Sequence, residues 1–248
     1  MISSFHDPRV EKNMTAAEMV DQLKSLGLES YKNTIKKHGI PEPLFGVKIE
    51  ELKKIQKRIK KDYRLALDLY DTGIYDAMYL AGLIADDKKM TKKDLKHWVE
   101  QATCKALLQY TIAWVAAGSD HGYELALEWI DSKKENFALA GWSILGGLVS
   151  ITPDEELDLG ELKKLLDRVK NTIHKEPDAV RYVMNGFVIA VGSYVKDLTQ
   201  AAILVGQEIG KVTVDMGDTA CKVPFSPDYI QKVVNRGAVG KKRATVKC

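Results

Sequence analysis

The chain has 248 residues, 45% of them hydrophobic and 29% charged, which suffices for one sizeable core or two small ones and excludes an intrinsically disordered chain. Its 37 lysines and arginines against 34 aspartates and glutamates leave a net charge of +3, too mild for a polycation of the histone type, so any basic surface is local. Three cysteines, Cys104, Cys221 and Cys248, are too few and too far apart for a disulfide framework, and no CxxC or Cys/His ligand spacing occurs. Neither a metal nor a cofactor is expected.

Residues 1–8 carry no basic n-region and no apolar stretch, and no window reaches the roughly 18 uninterrupted apolar residues of a membrane span. A reduced, cytoplasmic protein without a membrane partner is the expectation. The seven prolines stand at 8, 41, 43, 153, 177, 224 and 227, which leaves 44–152 free of that helix breaker. Within 47–59, Val47, Leu52, Ile55 and Ile59 share one helix face, with Lys53, Lys54, Lys57, Arg58, Lys60 and Lys61 elsewhere. The same spacing predicts helices over 62–71, 74–85, 91–101, 104–117, 121–130 and 135–150, separated by short polar turns. Thr91-Lys92-Lys93-Asp94 reads as a capping-box-like start and Thr152-Pro153-Asp154-Glu155 as a second start. Helices over 162–174, 177–194 and 198–209 follow, and from Lys211 onward Gly217, Pro224, Pro227, Gly237 and Gly240 mark an irregular stretch with one short predicted helix, 227–234.

Strand signals are nearly absent before residue 210. Short helix pairs returning every 30–40 residues or so match the period of HEAT or armadillo units, each of which buries its apolar face only against its neighbours. The predicted fold is therefore all-α, a HEAT-like α-solenoid built as a superhelix of antiparallel helix pairs over 1–210. An irregular basic tail, 211–248, is expected to pack on it or extend from it. A compact bundle is the competing architecture, but it would use fewer and longer helices.

Candidate chemistry is sparse. No Gly-x-Ser-x-Gly, no Cys/His pair on one helix face and no His-Glu-x-x-His run is present, so no catalytic residue is assigned. Gly146-Gly147 and Gly192 lie inside helices and read as close-packing positions. Two lysine-rich runs, 48–64 and 88–96, are either solvated faces or a stripe that a solenoid would gather into one phosphate-binding groove. Arg181 and Asn185, four apart, border an apolar series and either cap helix ends or meet a phosphate; Lys105 and Gln109, beside Tyr110, form a similar pair. Trp98, Trp114, Trp129 and Trp142 are core residues by default, with Trp142 the best placed to stack on an unpaired base. The terminal cations Lys241, Lys242 and Arg243, together with Arg236 and Lys247, have no acid among them; they form a solubilising end or, as favoured here, an arm that clamps an acidic partner.

The run Leu44-Phe45-Gly46-Val47-Lys48-Ile49-Glu50-Glu51-Leu52-Lys53, the stretch from Tyr70-Asp71-Thr72-Gly73-Ile74-Tyr75-Asp76 to Ala85-Asp86, and Met90-Thr91 to Trp98 resemble the DNA alkylation repair family, over about residues 30 to 210. This group of HEAT-like proteins includes the AlkD-type alkylpurine DNA glycosylases. The resemblance implies a curved solenoid that holds duplex DNA in a basic concave face. In active members, a carboxylate and aromatic rings stabilise the charge that develops as a purine alkylated at N3 or N7 is released. Those members carry Trp-Trp-Asp-x-x-Asp where this chain reads Leu107-Leu108-Gln109-Tyr110-Thr111-Ile112; Gly141 or Trp142 stands in place of an arginine, and Phe187 in place of a tryptophan. The expectation is thus a binder of duplex or damaged DNA with doubtful glycosylase activity, contacting it through Lys105, Gln109, Trp142, Arg181, Asn185, Lys241, Lys242 and Arg243. The alternatives are a protein-interaction scaffold and a glycosylase whose catalytic groups have moved.

Overall fold

Four helices among the described residues begin where a side-chain oxygen stands one residue ahead of an apolar-periodic run. Thr15 and Thr91 each close a full capping box, with Glu18 and Asp94, and Asp62 and Asp158 accept from the amides of Leu65 and Glu161. The computed structural model describes residues 14–216, 219 and 221–247; Cys248 and the leader reading of residues 1–8 fall outside them.

Among the described residues the helices are α1 (Ala16–Leu26), α2 (Glu29–Lys36), α3 (Ile49–Ile59), α4 (Tyr63–Tyr70), α5 (Tyr75–Ile84), α6 (Lys92–Gln101), α7 (Lys105–Leu107), α8 (Ala113–Gly118), α9 (Gly122–Trp129), α10 (Glu135–Ile151), α11 (Leu159–Thr172), α12 (Asp178–Tyr194), α13 (Thr199–Ile209) and α14 (Ser226–Asn235), and no strand is present. A π-helical turn, Leu108–Ile112, joins α7 to α8 without a break. The expected second start at Thr152-Pro153 yields only a 3-10 turn, Asp154–Glu156. The Asp154 carboxylate is committed elsewhere, to the Lys196 amide and the Lys242 ammonium, and α11 starts instead from Asp158.

The inner layer is α5, then α7 through α8, then α10, α12 and α14, each packed on the next; α4, α6, α9, α11 and α13 cover its outer side. This stacking of chain neighbours is the HEAT-like solenoid, and the competing bundle does not form. Inner helices are covered on two sides, which explains why α5 is buried from Asp76 to Ile84 with little one-faced character. The repeats are also tied across their outer edges at one interval. Lys88 meets Asp120 at 2.6 Å and Lys92 meets Glu124 at 2.5 Å, each pair 32 residues apart, and the Tyr63 hydroxyl donates to Asp94 31 residues on. No single helix among the described residues is long and apolar enough to cross a membrane.

The basic end of the chain is not a projecting arm. It runs over the C-terminal ends of α12, α10 and α5, where the last carbonyls of each helix lack intrahelical donors. The Gly240 amide donates to Ser193 O, the Arg243 amide to Ser150 O and the Lys242 ammonium to Val149 O; Lys247 reaches Ala85 O and Asp87. Val246 is buried in the main core, against Gly147.

The short helix expected near 227–234 is α14, docked on α12 and α13 through the fully buried Ile230. A Cβ at Gly206 would lie 2.6 Å from Ser226 Oγ and 3.0 Å from Pro227, so α14 can approach α13 only over a glycine. Gly206→Val is expected to lower stability by about 1–3 kcal/mol through overpacking, measured by urea unfolding. A variant as stable as the parent would show that α14 is not docked there.

Candidate nucleic-acid interface

None of the cations of the two lysine runs lines either of the two hollows of the inner layer. Lys48, Lys54, Lys61, Lys88, Lys89 and Lys92 lie on solvated outer surfaces and pair with Glu50, Glu51, Asp86, Asp120, Asp86 and Glu124. Exposed pairs of this kind add little stability.

The inner layer instead opens into two adjoining hollows. The larger, about 720 Å³, lies between α2 with its following loop and the N-terminal ends of α5, α7 and α12; its lining includes Tyr31, Tyr75, Tyr79, Lys36, Lys37 and Lys105. The smaller, about 350 Å³, is floored by α8, α10 and α12 and bounded by Arg243 and Val246 of the tail. Gln109, Tyr110 and Tyr182 line both and so mark where they meet. Small side chains on the second floor, Ser143, Gly146, Gly147, Gly186 and Ala190, allow a bulky ligand to lie close to the helix backbones.

A row of aromatic rings crosses from one hollow to the other. Tyr75 and Tyr79 are 6.2 Å apart, Tyr79 meets Trp114 edge-on at 5.5 Å, and Trp114 lies 5.7 Å from Tyr110. Tyr110 is the open end of the row, 45% exposed. It projects from the π turn, where one extra residue per turn re-aims side chains relative to an α-helix; such turns recur at functional sites. The turn presses on α5, since a Cβ at Gly82 would sit 2.7 Å from Thr111 Cγ2.

Of the residues expected to touch a ligand, Lys105 and Gln109 do line the groove, with Lys105 held 3.5 Å from Glu135. Arg243 and Lys241 are exposed, and Arg243 faces the second hollow. Lys242 is instead a helix cap, bound to Asp154 at 2.7 Å and to Val149 O. Trp142 touches the second hollow from beneath but is only 2% exposed, packed on Phe187 and under the Arg168 guanidinium, so it is a core residue. Asn185 is likewise buried, its amide donating to Pro224 O at 2.8 Å. Arg181 binds Asp178 one turn back. On α12 the groove face is Tyr182, Gly186, Ile189 and Ala190, and Asn185 lies about 100° round the helix from Gly186. The tyrosines and the α2 lysines were missed; the i,i+4 spacing of Tyr75 and Tyr79 was the available signal.

Acids are scarce in the groove. The carboxylates among the lining residues are Asp178 and Asp215. The Asp215 amide and then Arg181 hold the Asp178 carboxyl below the usual carboxylate value, and both of its oxygens are engaged. No group of three or more His, Cys, Asp or Glu among the described residues could hold a metal.

The model of the family described as DNA alkylation repair enzyme matches residues 19–211. The chain belongs to the DNA alkylation repair family. It is 35% identical over 212 residues to the uncharacterised proteins Lin0241 of Listeria innocua and Lmo0209 of Listeria monocytogenes, in each case covering 82% of this chain and 92% of the relative. A solved structure described as a new family of proteins related to the HEAT-like repeat DNA glycosylases, with affinity for branched DNA structures, superposes with a TM-score of 0.88 at 34% identity. The match covers 95% of this chain and all of that one. In this member of the DNA alkylation repair family, the segment where active glycosylases are expected to carry a carboxylate is the π turn, and it presents Gln109 and Tyr110.

Proposed function

We propose that the protein binds branched DNA across the inner layer of the solenoid and does not excise alkylated purines. The carrying observation is the groove: a continuous aromatic row with Lys36, Lys37 and Lys105 at one end and Arg243 at the other, with the Asp178 carboxylate held by Arg181 and the Asp215 amide. Phosphates need dispersed cations, and bases and sugars need flat apolar surface; the groove offers both. Purine excision needs an anion beside the sugar, and the groove carboxylate Asp178 has both oxygens engaged, by Arg181 and by the Asp215 amide. The solved relative's affinity for branched DNA supports the same reading.

The test is fluorescence anisotropy with a four-way junction, a matched duplex and a methylated duplex at several salt concentrations. The junction is expected to bind tightest, affinity is expected to fall with salt, and no free methylpurine should appear. Lys105→Glu and Arg243→Glu are each expected to weaken binding and to lower the slope of log K against log salt by about 1. Failure to retain any DNA at low salt overturns the proposal and favours the second reading, a scaffold for a protein segment, which the apolar second floor of Ala113, Val183, Ile189 and Ala190 would suit. Release of N3- or N7-methylpurine overturns the non-catalytic part.

A further inference from the structure

A branched or flapped DNA differs from a duplex in offering nucleotides that have no partner, and the larger hollow has the dimensions for one of them. Its volume of about 720 Å³ lies within the range of about 300–1,000 Å³ typical of small-molecule sites. A paired duplex, whose major groove alone is about 12 Å wide, cannot enter it. We infer that the hollow between α2 and the inner layer is a pocket for a single unpaired nucleotide, its base stacked on Tyr110 and Tyr182 and its phosphate facing Lys37 and Lys105. This rests on the DNA-binding reading above and names the part of the DNA that the groove selects.

Three observations converge on this ligand class. First, the aromatic surface is graded. Tyr79 and Trp114 are 4% and 6% exposed and fix the row in the core, whereas Tyr110, at its end, is left 45% exposed at the junction of the two hollows with the half-buried Tyr182 beside it. Exposed, rigidly backed rings are what a base needs for stacking, and every base can use them. Second, the amide of Gln109 stands next to these rings and is half-buried; an amide can both donate to and accept from a base edge. Third, the cations are at the mouth and not on the floor. Lys36 ends α2, Lys37 caps it and Lys105 starts α7, which leaves the apolar lining of Ile35, Ile40, Val47 and Leu52 behind them. Charge outside and flat apolar surface inside suit a nucleotide, whose phosphate stays near water while its base is buried. Lys36 and Lys105 pair with Glu42 and Glu135 at 3.4 and 3.5 Å, exposed pairs of little strength that a phosphate can replace, and Lys37 lies beside them.

The pocket is closed on its α2 side by a small separate cluster, Ile35, Ile40 and Leu44 with Tyr31 and Tyr75, so its wall is packed structure. Of its two lining carboxylates, Asp178 is bound by Arg181 and by the Asp215 amide.

The experiment places 2-aminopurine at the unpaired position of a single-nucleotide bulge and, separately, at a paired position of an otherwise identical duplex. With the full chain, the unpaired probe is expected to be quenched on binding and the bulged DNA to bind about tenfold or more tighter than the duplex, the size of one base–aromatic stack. Tyr110→Ala should remove most of that preference and the quenching, weakening the bulged DNA far more than the duplex. Tyr110→Phe should keep both, and Gln109→Ala should reduce the difference between probe bases. Circular dichroism of each variant separates lost stacking from lost fold. Equal affinity for bulged and paired DNA with no quenching overturns the pocket and leaves the DNA-binding proposal standing. Equal loss of both affinities in a folded Tyr110→Ala variant likewise overturns it, because the ring would then serve the duplex. Absence of binding to either DNA overturns the proposed function and this inference with it.

Discussion

Lys247→Ala is expected to lower the stability of the protein by about 3–5 kcal/mol, a large effect for a residue next to the chain's end. The Lys247 ammonium lies 2.7 Å from Asp87 and donates to Ala85 O at 3.2 Å, and the two side chains are only 11% and 16% exposed. Burial pushes the Lys247 ammonium down and the Asp87 carboxyl up, and each is held charged by the other. Truncating the lysine leaves a buried carboxylate without its counter-ion and a helix-end carbonyl without its donor, which is the costly way to break such a pair. Adding Asp87→Asn to Lys247→Ala should restore much of the loss, since no uncompensated charge then remains. Urea unfolding of the two variants checks both statements. A single-variant loss below about 1 kcal/mol would mean that the tail is not seated against α5 in solution.

Asp76→Ala is expected to cost about 2–5 kcal/mol, because it orphans two donors at once. The carboxylate is 1% exposed and accepts from the Phe45 amide at 2.6 Å and the Val47 amide at 2.7 Å. These bonds fix the segment after α2 against the first turn of α5, next to the wall of the larger hollow. Asp76→Asn should be intermediate, since one oxygen becomes an N–H that faces an N–H. Thermal unfolding measures the stability, and the bulge-against-duplex preference of the same variants measures the pocket. Loss of stability without any loosening of the 43–47 segment in hydrogen exchange would refute the assignment.

Two of the sequence stretches that carry the family resemblance, around Phe45 to Val47 and at Asp76, thus meet in space as one hydrogen-bonded unit. Their pattern was readable because it reports architecture. The glycosylase motif's place, residues 107–112, was also readable, but its content there is an aromatic and an amide on a π turn, which no spacing rule anticipates. The lysine runs, left open between a solvated face and a phosphate stripe, are decided by tertiary contacts. They look like a phosphate stripe until the fold sets an acid of the next repeat against each of Lys88 and Lys92.

From α3 onward the sequence by itself determined most of the helices and the period of their stacking, because apolar periodicity and capping residues act over a few residues and need no knowledge of what lies across the molecule. Helices α1 and α2 were not anticipated, and the start read at Thr152 lies instead at Asp158. Only the tertiary structure decided which side chains face the groove. A single residue's step around a helix turns a side chain by about 100°, enough to send Asn185 and Trp142 into the core while Gly186 and Ser143 meet the hollow. It also decided the fate of the tail, where unpaired helix-end carbonyls and the buried Asp87 draw Lys242 and Lys247 inward and leave Lys241 and Arg243 outside.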